Sequence, residues 1–252
     1  MEYLYLIPIA FIAGLVDAAV GGGGLIQIPG LFAMLPHEAP SALLGSNKFA
    51  SIWGTTSAAF NYLRRIRIPW KVILPTAATA FIGSLIGARI TDLLPSDLIR
   101  PLIIALLAIM LIYTWRRPTL GHVDANRELS RKDVAMGMLL GALIGFYDGF
   151  FGPGTGSFLV FLFVRFFHFD FLRATTCAKV VNVTTNAAAL VFFIPAKLVL
   201  FSYAIPMAIA NIAGAQVGSQ LALRGGNTWI RRLFLALAVV LLAKLIYQQW
   251  LV

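Results

Sequence analysis

Two short stretches decide how this chain is read: GLVDAAVGGGG at residues 14–24 and GFYDGFFGPGT at residues 145–155. Each places an aspartate one helical turn ahead of a glycine run, Asp17 before Gly21 and Asp148 before Gly152. The offset, Gly145 minus Gly14, is 131 residues, and it holds without a gap from Gly14 to Arg100. It pairs Gly23 with Gly154, His37 with His168, Lys48 with Lys179 and Pro75 with Pro206. Gly83, Gly87 and Arg100 fall on Gly214, Gly218 and Arg231. Shared leucines would mean little between two apolar helices. Matched Asp, Lys, Gly, Pro and Arg in one register mark a duplication.

The surroundings of these stretches are apolar. Of 252 residues, 60% are hydrophobic and 12% charged, with a mean hydropathy of +0.86. A soluble domain carries roughly 25% charged residues, so this chain cannot cover its own surface in water, and its natural solvent is hydrocarbon. A crossing needs roughly 20 residues, which leaves room for about eight to ten helical segments and no soluble domain. The expected fold is an all-α, polytopic integral membrane protein of tandem duplicated helical repeats. Residues 1–116 form the first membrane repeat, 117–132 a polar cytoplasmic linker and 133–252 the second membrane repeat. The first 20 residues lack a basic start and contain Asp17, which reads as a retained helix rather than a signal peptide.

The net charge of +10 would suit a nucleic-acid binder. Its distribution does not. The basic residues stand in short clusters at the ends of apolar runs, as in Arg64, Arg65, Arg67 and Lys71, or Arg116 and Arg117. That is the pattern of cytoplasmic membrane loops. One cysteine, Cys177, precludes an internal disulfide, and three scattered histidines have no metal-ligand spacing. No cofactor or metal is expected. The expected partners are the lipid bilayer and a small anionic solute, and a homodimer is left open.

Apolar runs in the first copy cover 3–20, 25–35, 42–63, 72–91 and 98–115, with glycines at 21–24. The second copy repeats them at 134–151, 157–169, 173–194, 203–222 and 229–250. Loop 64–71 has four basic residues where its counterpart 195–202 has one. Loop 92–100 has one basic and two acidic residues, whereas 223–231 has two basic and none acidic. The bias reverses between copies, as inverted topology requires. Five segments per copy satisfy it. A parallel arrangement of eight helices with re-entrant loops is the alternative, because 25–35 is short for roughly 30 Å of hydrocarbon.

Three features carry candidate chemistry. Gly21, Gly22, Gly23 and Gly24 interrupt an apolar helix, as do Gly152, Gly154, Thr155 and Gly156 around Pro153. Unwound backbone at membrane depth is tolerated only where protein or a water-filled cavity surrounds it. A break also exposes the N–H groups and positive dipole end of the next half-helix, which suit an anion. Close packing through small residues is the plainer reading, and it is assigned to Gly83, Gly87, Gly214 and Gly218. Asp17 and Asp148 are the second feature, serving either as proton or ion carriers or as acceptors that hold the unwound backbone. Lys48 and Lys179 are the third, set within polar-rich helices. Asn47, Asn182 and Asn186 stand beside them, with Ser46, Ser51, Thr55 and Thr185. They suit anion coordination. A salt bridge from each lysine to an aspartate of its own or the other copy is the alternative. Gln27, Asn211, Gln216 and Gln220 suit either a cavity lining or interhelical hydrogen bonds.

The stretches GLVDAAVGGGGLIQIP (14–29), GFYDGFFGPGTGSF (145–158) and GSNKFASIWGT (45–55) resemble the sulfite exporter TauE/SafE family, also called the toluene sulfonate uptake permease family. The second copy departs from the pattern, with Pro153 where the first has Gly22 and Thr155 where it has Gly24. The resemblance implies a transporter of the cytoplasmic (inner) membrane for small anions, often sulfur-containing, with the glycine breaks, Lys48 and Lys179 forming the anion site. The leading expectation is a secondary transporter working by alternating access. The alternative is an anion channel with the same cavity between repeats. An enzyme is not expected: the chain holds no H-E-x-x-H, G-x-S-x-G or G-x-x-x-x-G-K-[ST] stretch.

Overall fold

The computed structural model describes residues 2–91 and 129–250, and over 226–250 the backbone alone. The described residues form helices and no strands: α1 (Glu2–Val20), α2 (Gly24–Met34), α3 (Pro40–Leu63), α4 (Trp70–Ile90), α5 (Arg131–Phe150), α6 (Thr155–Phe167), α7 (Phe171–Phe193) and α8 (Phe201–Trp250). The helix starts keep the 131-residue offset. Helices α2, α3 and α4 begin at Gly24, Pro40 and Trp70, and α6, α7 and α8 each begin 131 residues later. The expected helix at 98–115 and most of the linker 117–132 lie outside the described residues.

Local chemistry sets the starts. Pro40 occupies the first turn of α3, where its missing N–H is not needed. Asp170 caps α7 by accepting the Arg173 N–H at 2.7 Å. Ser130 and Asp133 form a reciprocal capping box at the start of α5. One expectation is corrected. Two helices were expected at 203–222 and 229–250, yet α8 runs unbroken from Phe201 to Trp250. The segment 223–231 contains Gly225, Gly226 and Asn227 but no proline. Those residues weaken a helix by about 1 kcal/mol or less each and still supply every N–H.

Four described helices, α1, α4, α5 and α7, are long and apolar enough to cross a membrane. The 11 residues of α2 rise about 16 Å and the 13 of α6 about 20 Å, short of a roughly 30 Å hydrocarbon core. Side-chain distribution is that of a protein in lipid. Leu4, Phe60, Leu74, Leu143 and Ile209 are exposed, Ile209 by 66%. Gln27, Ser46, Lys48, Asp148, Lys179, Asn186 and Asn211 are buried.

Packing exchanges the copies. A Cβ on Gly14 would strike the backbone of Asn211, and one on Gly214 or Gly218 the backbone of α1 at Phe11 and Leu15. At the equivalent positions, Gly145 meets Ala80, and Gly83 and Gly87 meet Ala142 and Phe146 of α5. So α1 lies on α8, and α5 lies on α4, each through small residues that let backbones touch. The packing role expected for Gly83, Gly87, Gly214 and Gly218 is the one observed.

Candidate functional site

The two glycine breaks meet each other. Helix α1 ends at Val20, and the chain turns at Gly21, whose φ of +81° suits glycine alone among common residues. Helix α5 ends at Phe150, and Gly152-Pro153-Gly154-Thr155 forms a type II turn: Gly154 has φ 79° and ψ 1°, and the Thr155 N–H donates to the Gly152 carbonyl at 3.3 Å. The breaks bond to each other. The Ser157 N–H donates to the Gly21 carbonyl at 3.0 Å, and the Ser157 hydroxyl to the Val20 carbonyl at 2.9 Å. Gly21 and Gly156 touch through backbone, leaving no room for a side chain on either. Tyr62 and Tyr147 pin the turns by donating to the carbonyls of Ala18 and Pro153, at 2.9 and 2.7 Å. Ser157 and the two tyrosines went unnoticed in the sequence. Only the position of Ser157 directly behind the second glycine break hinted at its role.

Both lysines reach across to the other copy. Lys179 Nζ lies 2.9 Å from Asp17 Oδ2, and Lys48 Nζ lies 2.7 Å from Asp148 Oδ2. Applied to both partners, the 131-residue offset turns one pair into the other. The pairs differ in what else holds them. Asp17 also accepts from Thr55 Oγ1 at 3.1 Å and from the Gly23 N–H at 3.4 Å, and Lys179 Nζ donates in addition to the Asp17 backbone carbonyl. Asp148 Oδ2 is buried against Lys48 Nζ, and among the described residues no hydroxyl or backbone N–H donates to it. Gly152 permits that contact, since a Cβ there would sit 2.7 Å from Lys48 Nζ.

Between the breaks and the helices that carry the lysines lies a cavity of about 20 Å³, room for roughly one water molecule. Asp17, Gly21, Gly24, Asn47, Lys48, Ser51, Asp148, Gly152, Gly154, Thr155, Gly156, Asn182 and Asn186 line it. Most of the residues singled out from the sequence are therefore brought to one place. Gly22, Gly23 and Lys179 are not among the described lining residues. Gly23 and Lys179 instead serve Asp17. Asn47 Oδ1 is buried without a hydrogen-bond partner among the described residues. Asn182 and Asn186 face each other at 3.5 Å along one side of α7. Gln27 and Asn211 bond each other at 2.9 Å, and Gln216 bonds Asn61 and Ser57, so these took the interhelical role. His168 ends α6 in a left-handed conformation. Among the described residues no group of His, Cys, Asp and Glu is arranged to hold a metal.

A bundle of apolar helices, broken twice by glycine turns beside buried charges, defines a multi-pass membrane transporter. The chain belongs to the sulfite exporter TauE/SafE family, whose profile matches residues 6–245. It is 35% identical over 243 residues to a probable membrane transporter protein, ORF9, of a Sinorhizobium species, covering 96% of this chain and 91% of that one. It is 33% identical over 241 residues to the probable membrane transporter protein YfcA of Escherichia coli K12, covering 96% and 88%. A probable membrane transporter protein of Haemophilus influenzae is 32% identical over 244 residues, covering 97% and 94%. No solved structure matches the chain significantly.

Proposed function

We propose that the protein is a secondary transporter that moves a small anion, sulfite or a short sulfonate, across the cytoplasmic membrane by alternating access, with Lys48 as the anion ligand. One observation carries this reading. Lys48, 3% exposed, lines the central cavity, and its charge is met by a carboxylate to which no hydroxyl or backbone N–H donates among the described residues. An anion can take the place of Asp148 on Lys48. A carboxylate released in a low-dielectric interior is costly unless neutralised, and a proton on Asp148 balances the exchange. Asp17 and Lys179 anchor the first break instead. Asn47, Asn182 and Asn186 offer hydrogen bonds beside the lysine, and Thr155 and Gly156 begin a half-helix whose N-terminus favours negative charge.

The two copies act as inverted repeats of a shared core, 1–116 and 133–252. The exchanged packing of α1 on α8 and α5 on α4 supports this reading, as does the reversed loop charge. A carrier accounts better than a channel for a centre closed down to about 20 Å³.

The test is a thermal-shift screen of the purified protein against sulfite, short alkyl sulfonates and small carboxylates, followed by counterflow in liposomes. A sulfur oxyanion is expected to stabilise the protein and drive counterflow. If none of these anions stabilises it, the anion reading is wrong. Flux that never saturates and shows no counterflow would make the protein a channel.

A further inference from the structure

A second and larger cavity opens at one end of the α3–α8 interface. It measures about 410 Å³ and is lined by Asn61, Arg64, Arg65, Gln220, Leu223 and Arg224. It shares no lining residue with the central cavity. All three arginines are exposed, and no carboxylate is among the described lining residues. Asn61 is held at the mouth: its Nδ2 donates to Gln216 Oε1 and to Ser219 Oγ, both at 2.8 Å. Gln216 Nε2 in turn donates to Ser57 Oγ at 2.6 Å.

The other half of the molecule supplies an internal control. The 131-residue offset turns the α3–α8 interface into the α7–α4 interface. There Ser57 becomes Ala188, Asn61 becomes Phe192, Gln216 becomes Leu85 and Ser219 becomes Ala88. Arg64 and Arg65 become Pro195 and Ala196. The hydrogen-bonded cluster of Ser57, Asn61, Gln216 and Ser219 is thus apolar at the equivalent interface. There Arg89 takes the place of Gln220, and the Ser84 hydroxyl donates to the Thr185 carbonyl at 2.7 Å. Packing alone does not call for that cluster or for the paired arginines. Polar side chains in a membrane helix interface are costly unless paired, and they usually mark a solute path. The arginines also sit on the side whose loop, with Arg67 and Lys71, has the charge of a cytoplasmic loop.

We infer that this cleft is an anion-collecting vestibule, which binds a small oxyanion from the cytoplasmic water before it reaches Lys48. The inference rests on the anion reading given above. Guanidinium groups match oxyanions through paired hydrogen bonds. A concave basic surface raises the local anion concentration by about 10- to 1000-fold at low salt. Exposure keeps the hold weak enough for the anion to move on. The one-sided placement makes the cytoplasmic face the collecting face.

The experiment uses the full chain in phosphatidylcholine liposomes with sulfite as the probe. Phenylglyoxal modification of Arg64, Arg65 and Arg224 is read peptide by peptide by mass spectrometry. Sulfite is expected to protect all three, and to do so still in Lys48→Met, where the central site is disabled. Conversely, the triple variant R64Q/R65Q/R224Q is expected to keep its sulfite-induced thermal shift. Its initial flux at low sulfite should fall on the order of tenfold and lose its dependence on salt. The corresponding triple lysine variant should retain most of the flux. Absence of sulfite protection in the wild-type protein overturns the vestibule. So does protection that phosphatidylglycerol supplies and sulfite does not, which would make the cleft a lipid headgroup site. A wild-type protein with a thermal shift but no protection loses the vestibule alone. One with neither loses the central anion reading as well. Should the triple variant not fold, the single Arg224→Gln, outside the basic loop, carries the flux comparison, and unchanged flux and salt dependence would overturn the proposal.

Discussion

Lys179 and Lys48 stand at the same position of the two copies, and each reaches an aspartate of the other copy, at 2.9 and 2.7 Å. Around Asp17 the structure adds a hydroxyl, a backbone N–H and a second bond to the lysine. Around Asp148 it adds none of these in regular geometry among the described residues. The difference traces to two substitutions between the repeats. Thr55 of the first copy is replaced by Asn186, which turns to Asn182 rather than to the carboxylate. Gly22 is replaced by Pro153, which builds the type II turn and puts Gly154 at a φ of +79° where Gly23 has −57°. The N–H of Gly23 meets its aspartate at 3.4 Å, and the altered turn re-aims the N–H of Gly154. The two matched pairs are thus held unequally, and the exchange proposed at Lys48 and Asp148 rests on that inequality.

Substitutions can break or sharpen this contrast, and the largest effect is expected at the crossing of the breaks. Gly21→Ala adds a Cβ against the backbone of Gly156 and Ser157 at a left-handed φ. It should cost more than about 4 kcal/mol, beyond the usual range for a single substitution, and leave little folded protein by size-exclusion chromatography. Recovery of a well-folded variant would mean that the breaks are not the rigid core of the site.

Next comes Lys48→Ala, which leaves a buried Asp148 without its counter-charge. A loss of about 3–5 kcal/mol is expected, seen as a lower melting temperature together with loss of the sulfite-induced shift. The double variant Lys48→Ala/Asp148→Ala should regain most of the stability and none of the transport. Transport by the double variant would remove Lys48 from the mechanism.

The aspartates separate the two pairs more finely. Asp148→Asn frees Lys48 to rely on an added anion, so the sulfite-induced thermal shift should grow. Asp17→Asn leaves the buried Lys179 without its counter-charge, so it too should lower stability by about 3–5 kcal/mol, and it should leave the sulfite shift unchanged. Equal responses from the two variants would erase the proposed division of labour. The smallest effect is expected for Gly24→Ala. Its Cβ would lie 3.3 Å from Pro153 Cα, with Gly152 O at 3.7 Å and Gly154 N at 3.9 Å in ordinary contact, so stability should move by within about 1 kcal/mol. A large loss there would mean that the breaks pack more tightly than the contrast with Gly21 implies.

Much of this site was legible in the chain. Asp17, Lys48, Asp148 and the glycine runs stood out because charge and helix-breaking residues are costly in hydrocarbon and were matched between copies. The asparagines followed from their helical spacing to the lysines. Lys179 was legible as a partner of Lys48, but not its bonds to Asp17, because those depend on which atoms surround that aspartate. The continuation of α8 through Gly225 and Gly226 was missed because glycine weakens a helix without removing a backbone hydrogen bond.

By itself the sequence determined the solvent and the helical class, and it offered the 131-residue register. Composition dictates where a chain can dissolve, and a register of matched polar residues survives without any knowledge of contacts. Only the tertiary structure decided that the ion pairs cross between copies, that the two breaks touch, and that the pairs are held unequally. Those facts depend on the relative placement of residues a hundred or more positions apart, where a shift of about 1 Å makes or breaks a hydrogen bond. The glycine breaks beside the aspartates are therefore one unit in space, made from two halves that the chain keeps far apart.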